Sequence, residues 1–535
     1  MARIVVVGSG VSGAHAALTL LERGLEVEMW DVGEEESSFP APGATFHELK
    51  ERLPDPVSYF LGADFEALVP PTGTELMRYP PSRGFMRSSK NGFDDFVSDT
   101  FVAYGSFARG GLANGWGANA LAFDDDDLCE WPVAFADMEP AYRAVSARVP
   151  IAGPSDDELA PHLQGIYPTQ PAVRLSSSDQ RLLAAYRRRK PRLDALGVKF
   201  GRARLAVVTD AARPEACDHC GRCLWGCPKG SIYNPRLSTL RECEARASFR
   251  YVPGRRVVSL RPKDDRIEAI RYLDTATGEL KEEPCDAAFL AAGALQSGAI
   301  FLRTIRARFG DAAPCTEGLM DTAVVRIPFV GLGSVGSTAD ARVFQLNRLI
   351  AGVIGEAPPW PRYVHAEILH LGTLLYHPLI ERLPFDTRTS SRLFFALRSA
   401  LGVATLFFPD RIVDGNHAQL VPGANESASK VELRYRESAA KEAFIRRSVA
   451  TMRSALHRLG CVTRAPVQSP AGAGIHYAGT VPMGAGRGRC DARGRSNAFT
   501  NLYIADGAAF PSLPSKSITM TLAAHAIRVA RSAAL

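Results

Sequence analysis

The opening stretch RIVVVGSGVSGAHAALTLLERGLEVEMWD admits few folds. "RIVVVG" is a β-branched run that ends at Gly8, and "VSGAHAALTLLERG" carries apolar residues at helical spacing with Gly24 placed to stop it. "EVEMWD" then reads as a second strand ending at Asp31. Strand, glycine turn, helix and strand in that order open a parallel α/β sheet that binds dinucleotides. The residue types fit the task. Gly8 permits the tight turn, Gly10 lets backbone N–H groups approach a pyrophosphate, and Gly13 allows close helix–strand packing at the positive helix end. Asp31 is placed to accept hydrogen bonds from an adenosine ribose and to repel a 2′-phosphate, which argues against NADP.

A chain of 535 residues is too long for one ordinary domain, so a composite fold or several domains follow. Hydrophobic residues make up 46% and charged residues 22%, the balance of a soluble globular protein. The net charge of +6, from 63 basic and 57 acidic residues, is small, and beyond "RRRK" at 187–190 no basic tract suggests nucleic acid. Met1 runs almost directly into the first strand with no secretory pattern, so the expected address is the cytoplasm. "LFFALRSALGVATLFFP" from Leu393 contains Arg398 and Gly402 and is too short to span a bilayer. It reads as a buried helix running into a strand, with a surface patch for a membrane or partner as the lesser reading.

Further along, residues 36–80 look like loops and short helices, and "GSFARGGLANGWGANAL" at 105–121 is a second glycine-rich segment able to lie against a flat ring or simply to turn. The Asp124–Asp127 run reads as a solvated helix start, with a cation-binding face as the alternative. From Arg250 the chain alternates as a strand meander, and "CDAAFLAAGALQSGAIFL" is a buried strand that turns through Gly293 into a helix. Residues 310–470 hold more strands and no nucleotide signal, as suits a substrate domain. His365, His370 and His377 lie there; ordinary hydrogen-bonded histidines are expected, with one or two facing a pocket.

Ten cysteines in a chain expected to stay in a reducing compartment do not suggest a disulfide framework. Six are scattered and read mostly as inert core. Cys217, Cys220, Cys223 and Cys227 are different: with Pro228 they spell C-x2-C-x2-C-x3-C-P, the bacterial ferredoxin run, and predict a 4Fe-4S or 3Fe-4S cluster. Structural zinc, which usually pairs two separated knuckles, and metal-free thiols packing a loop are the alternatives.

At the other end, "HYAGTVPMG" at 476–484 and "NLYIADGAAFPSLPSKSITMTLAAHAIRVA" at 501–530 offer a histidine beside a glycine turn, then a strand ending at Asp506 and a long helix. With the N-terminal turn, "GGLANGWGA" and "FLAAGAL", these segments resemble the glucose-methanol-choline (GMC) family of FAD-dependent oxidoreductases. The resemblance implies an α/β fold: a Rossmann-like FAD domain assembled from residues 1–35, 80–135, 200–310 and 470–535, with the cysteine cluster as an insert. An α+β substrate domain with an antiparallel sheet would take 36–79, 136–199 and 311–469. It also implies roles. Gly8, Gly10, Gly13 and Asp31 match the dinucleotide turn, Val257 the strand whose backbone meets adenine, and Gly293 the strand turn of "FLAAGAL". Gly110, Gly111, Asn114 and Trp116 match the segment along the flavin, and Asp506 and Gly507 the C-terminal turn. "GGLANGWG" looks most like the pyranose oxidase branch, where a histidine binds the flavin covalently; Gly115 stands there instead, which implies non-covalent FAD.

His476 opens the family's HxxGT motif, and an imidazole titrating near neutrality suits the base that takes a hydroxyl proton. Ser517 stands where the family has Asn or His; it is shorter and no base, with Lys516 or a water able to compensate. The resemblance therefore implies oxidation of an alcohol of a sugar, aminocyclitol, aminoglycoside or polyol by hydride transfer to flavin N5. Some similar sugar dehydrogenases pass electrons through a cluster to a partner protein, which favours a dehydrogenase. An O2-using oxidase producing H2O2, a non-redox flavoprotein lyase and a cofactor-free binding protein are the competing readings.

Overall fold

Ile4–Val7 is buried at every position, so it has no polar face to turn to water and must be covered on both sides. It lies at the centre of a five-stranded sheet whose order is Leu502–Ile504, Ala287–Leu290, Ile4–Val7, Val27–Trp30 and Phe249–Val252, every pair parallel. The computed structural model describes residues 2–35, 45–68, 80–86, 95–310, 315–340, 342–355, 360–372, 376–421, 423 and 428–535. The neighbours in this sheet come from both ends and the middle of the chain, so the dinucleotide-type domain is assembled from discontinuous segments as expected.

Small residues bring the elements of this domain together. Ala14, Ala17 and Leu21 on the helix Val11–Glu22 pack with Ala526, Val529 and Ala530 of the C-terminal helix Thr519–Ser532. On the other side the meander Arg255–Lys263, Arg266–Asp274 and Leu280–Pro284 lies against the helix Ala294–Phe309, where the Thr304 hydroxyl accepts from the Leu260 N–H at 2.9 Å.

The second layer is an antiparallel sheet ordered Cys461–Thr463, Ala323–Gly331, Leu401–Phe408, Tyr363–His370, Leu349–Ile354 and Val198–Arg202, with Val467–Gln468 also on Ala323–Gly331. Its strands alternate cleanly. Val325 and Ile327, Ala404 and Leu406, and Ala366 and Ile368 pack under the helices Ser177–Asp194 and Ala439–Arg458. The residues between them face the other way. The Leu393 stretch is the helix Thr387–Leu397 followed by the strand Leu401–Phe408, but the helix is not buried as expected: only Ser390 and Phe394 are covered, while Leu393 and Phe395 are exposed. No helix among the described residues is long and apolar enough to cross a membrane.

Two segments fall on the other side of the expected boundaries. Val198–Arg202 begins before residue 200 and is an edge strand of the antiparallel sheet. Phe135–Arg148 joins the dinucleotide side instead of the substrate layer: Met138, Tyr142 and Val145 are part of its core, and the Tyr142 hydroxyl bonds Thr521 at 2.9 Å. Parts of the 36–80 excursion lie outside the described residues. Its described part includes two short helices, Phe46–Arg52 and Pro56–Leu61, whose Phe46, Tyr59 and Phe60 rings close around Trp225 of the cysteine loop.

Candidate active site

A cavity of about 1040 Å³ runs between the C-terminal ends of the parallel strands and the exposed face of the antiparallel sheet. That is large for one small molecule and of a size for a dinucleotide plus a substrate. At one end is the glycine turn. Gly8 has φ +98°, and a Cβ there would sit 2.6 Å from the Ala291 carbonyl oxygen; at Gly13 it would sit 1.9 Å from the Gly8 oxygen. Both are packing glycines. Around Gly10 nothing lies within 4 Å of the Cβ position, so its backbone opens onto the cavity.

Three helices begin on this cavity: Val11–Glu22, Ala294–Phe309 and Thr519–Ser532. None has a capping side chain or an acidic residue in its first turn. Their first N–H groups and positive dipole ends therefore open onto this cavity, where they favour an anionic ligand.

Asp31 is half-buried and lines the same end. The Ser9 hydroxyl donates to its Oδ2, as does Tyr251 at 3.2 Å, while burial pushes its carboxyl up to about 6. Ser9 Oγ also accepts from the Gly110 N–H at 2.9 Å, fixing the second glycine segment against the first. Gly110, Gly111, Asn114, Gly115, Trp116 and Val257 all line the cavity. Asn114 does so with its side chain committed: Nδ2 donates to the carbonyls of Arg109 and Gly111, and Oδ1 accepts from Asn234 at 2.9 Å. It braces the turn. Trp116 is likewise fixed, its indole N–H donating to the Tyr233 carbonyl at 2.8 Å.

Asp506 acts as a staple. Its Oδ2 accepts from the Gly293 N–H at 2.8 Å and the Ser297 hydroxyl at 2.6 Å, and its Oδ1 from the Ala508 N–H at 2.9 Å. Burial pushes this carboxyl up to about 6 against those three bonds. The C-terminal turn at Gly507 is thereby tied to the strand turn at Gly293, and both face the cavity.

His476 and Ser517, from the two C-terminal motifs, line the same cavity. The His476 ring stacks on Phe407 with centroids 5.8 Å apart, and its buried Nδ1 has no hydrogen-bond partner. Burial alone pulls the imidazole down to about 4, so it is neutral near pH 7, the form a base requires. Its position depends on a residue the sequence did not single out. Asp321 accepts from the N–H groups of Gly472, Gly474 and His476, wrapping the preceding turn around one buried carboxylate.

Lys516 does not compensate for Ser517. It is turned into the protein, where its ammonium bonds Asp124 at 2.6 Å and Asp127 at 2.5 Å. The acidic run is therefore no cation-binding face of the cavity. Asp125 caps the N–H of Phe135 at 3.2 Å, and Asp126 accepts from the N–H of Arg362 at 2.7 Å. Of the three histidines, His370 lines the cavity and bonds Asp179 at 2.7 Å, His365 is buried with its Nδ1 on Tyr363 at 2.9 Å, and His377 is half exposed.

The sequence also gave no warning of a polar row on the sheet. Arg326, Thr405 and Glu367 are direct cross-strand neighbours and all three line the cavity. Asn119 donates to Glu367 Oε1 and accepts from Asn347 at 2.8 Å; burial pushes the Glu367 carboxyl up to about 7. A lone acid inside the apolar strand "YVHAEILH" was the available signal.

The four clustered cysteines line one small cavity, and Cys223 and Cys227 also line the large one. The Ser231 N–H points to Cys227 Sγ at 3.3 Å and the Gln345 N–H to Cys223 Sγ at 3.4 Å. Positive φ angles at His219, Gly221, Gly226 and Gly230 wind the loop tightly. The donor set and its N–H···S bonds fit a thiolate-held cluster. The sulfurs are nevertheless not drawn onto one point: among the described residues no group of three His, Cys, Asp or Glu side chains is arranged to hold a metal ion.

A family model described as GMC oxidoreductase matches residues 419–526. No curated protein sequence matches significantly. Among solved structures, the chain is similar to pyridoxine 4-oxidase from Mesorbium loti at 14% identity and TM-score 0.61, over 99% of each chain. It is similar to an FAD-dependent oxidoreductase from Chaetomium thermophilum at 14% identity and TM-score 0.61, over 99% of this chain and 98% of that one. A formate oxidase gives 12% identity and TM-score 0.62, over 99% and 97%. The chain thus shares its whole fold with these proteins, and its C-terminal segment matches the GMC oxidoreductase family.

Proposed function

We propose that the protein binds FAD non-covalently and oxidises an alcohol of a sugar, aminocyclitol or polyol. The observation that carries this reading is one cavity shared by the glycine turn, three uncapped helix N-termini and a neutral histidine whose Nδ1 is buried and unpartnered. Gly10, Asp31, the Gly110–Trp116 segment, Val257, Gly293 and Gly507 would hold the cofactor, which supplies the hydride acceptor when bound. His476 takes the hydroxyl proton as the carbinol carbon gives up its hydride and becomes a carbonyl. Ser517 orients that hydroxyl, and the apolar residues around Phe407 exclude water.

The same reading gives Cys217, Cys220, Cys223 and Cys227 an iron–sulfur cluster, which would supply one-electron chemistry at the cavity wall and an outlet to an acceptor protein. Its support is the ferredoxin spacing together with the shared wall formed by Cys223 and Cys227. Anaerobic purification, iron and acid-labile sulfide analysis and electron paramagnetic resonance test it. Stoichiometric zinc without sulfide, or no metal in folded FAD-loaded protein, removes the relay. Turnover with stoichiometric H2O2 would then establish the oxidase reading, for which the oxidases among the fold relatives are the support. A protein whose flavin is reduced anaerobically by no alcohol overturns the whole proposal.

A further inference from the structure

The polar row has a defined place relative to His476. Thr405 precedes Phe407 by two residues on one strand, so the row lies about 6.8 Å along the sheet from the ring on which His476 stacks. On its far side comes the row Pro328, Val403 and Leu369, wholly apolar. Glu367 and Arg326 flank Thr405, one strand to each side. Neither forms an ion pair among the described residues: Glu367 takes the Asn119 amide, and Arg326 donates to Ser469 at 2.5 Å. Asn347, nearly fully buried, lines the cavity with an Oδ1 that has no partner.

This set offers acceptors and donors side by side, followed by an apolar floor. Resting on the reading of the cavity as an alcohol-oxidising site, we infer that the Arg326–Thr405–Glu367 row, with Asn347, recognises the neighbouring hydroxyls of a neutral polyhydroxylated substrate. A carboxylate accepts from two vicinal hydroxyls, a guanidinium donates to hydroxyl oxygens, and the C–H face of a ring lies on Pro328, Val403 and Leu369. Substrates with several ammonium groups are disfavoured. Arg326 and Arg464 line this part of the cavity against the single carboxylate of Glu367, and the Asp124–Asp127 run that would attract them is tied elsewhere.

The test is anaerobic reduction of the FAD-loaded enzyme by D-glucose, myo-inositol, 2-deoxy-D-glucose, D-glucosamine, kanamycin and benzyl alcohol. A neutral polyol should exceed its deoxy or amino analogue and benzyl alcohol by about 10- to 100-fold in kcat/KM, the worth of hydrogen bonds to a charged group. Glu367→Gln should shrink that advantage by a similar factor with FAD content retained. Should Glu367→Gln fail to fold, Thr405→Val should shrink it by about 2- to 10-fold, the worth of a neutral bond. Kanamycin or benzyl alcohol as the best reductant, or an advantage untouched by substitution, overturns the subsite and leaves alcohol oxidation standing. Reduction by none of the six overturns both.

Discussion

His476 and Ser517 face one cavity but carry unequal chemistry, and the difference is measurable. His476→Ala should slow flavin reduction by about 10²- to 10⁴-fold, the usual worth of a positioned general base, with FAD content unchanged. Ser517→Ala should cost only a neutral hydrogen bond, about 0.5–1.5 kcal/mol. Equal losses would mean that Ser517 shares the proton transfer. Burial sets the pH dependence. The imidazole is pulled down to about 4, so it is already neutral at pH 6, and the rate of flavin reduction should stay level from neutrality downward and fall only as pH drops through about 4. An acid limb near 6.5 would show that His476 is solvated or paired in the working enzyme.

The glycine-turn element separates packing from binding. Gly13 and Gly10 belong to one motif, yet a methyl group at Gly13 strikes the Gly8 carbonyl while one at Gly10 meets nothing. Gly13→Ala should therefore lower the melting temperature of the cofactor-free protein. Gly10→Ala should leave that temperature within a degree or two and weaken FAD binding, read by fluorescence titration. The reverse pattern would put the pyrophosphate somewhere other than over Gly10. The turn before His476 shows how an element outside a motif supports it. Asp321 comes from the middle of the chain, and its three accepted N–H bonds hold a turn in which Ile475 has φ +60°. A non-glycine residue keeps that conformation only when its surroundings impose it.

For the whole molecule, the cofactor is expected to be held without a covalent bond, since Gly115 lines the cavity where the resemblance puts an attachment histidine. Acid precipitation should leave the yellow colour in the supernatant; flavin in the pellet would contradict the assignment. The burial of Lys516 joins the C-terminal motif to the 124–127 loop across the protein. Removing that ammonium by Lys516→Met leaves two carboxylates facing each other in the interior and should cost about 3–5 kcal/mol in denaturant unfolding.

What the sequence determined was local. The glycine turn, the strand meander and the strand turning at Gly293 were legible because each is encoded by its own periodicity and turn residues, and each stands where it was read. The helix–strand pair around Leu393 was legible as two elements but not in its burial, since Leu393 and Phe395 are exposed. The cysteine spacing was legible as a motif, but among the described residues its thiols are not drawn onto one metal position. Tertiary structure alone decided which faces meet. A lysine beside Ser517 reads as available until folding turns it onto two aspartates, and an acidic run reads as solvated until a buried ammonium claims it. Arg326, Thr405 and Glu367 are far apart in the chain and become one row only through antiparallel register, which depends on pairing between strands that no local pattern specifies.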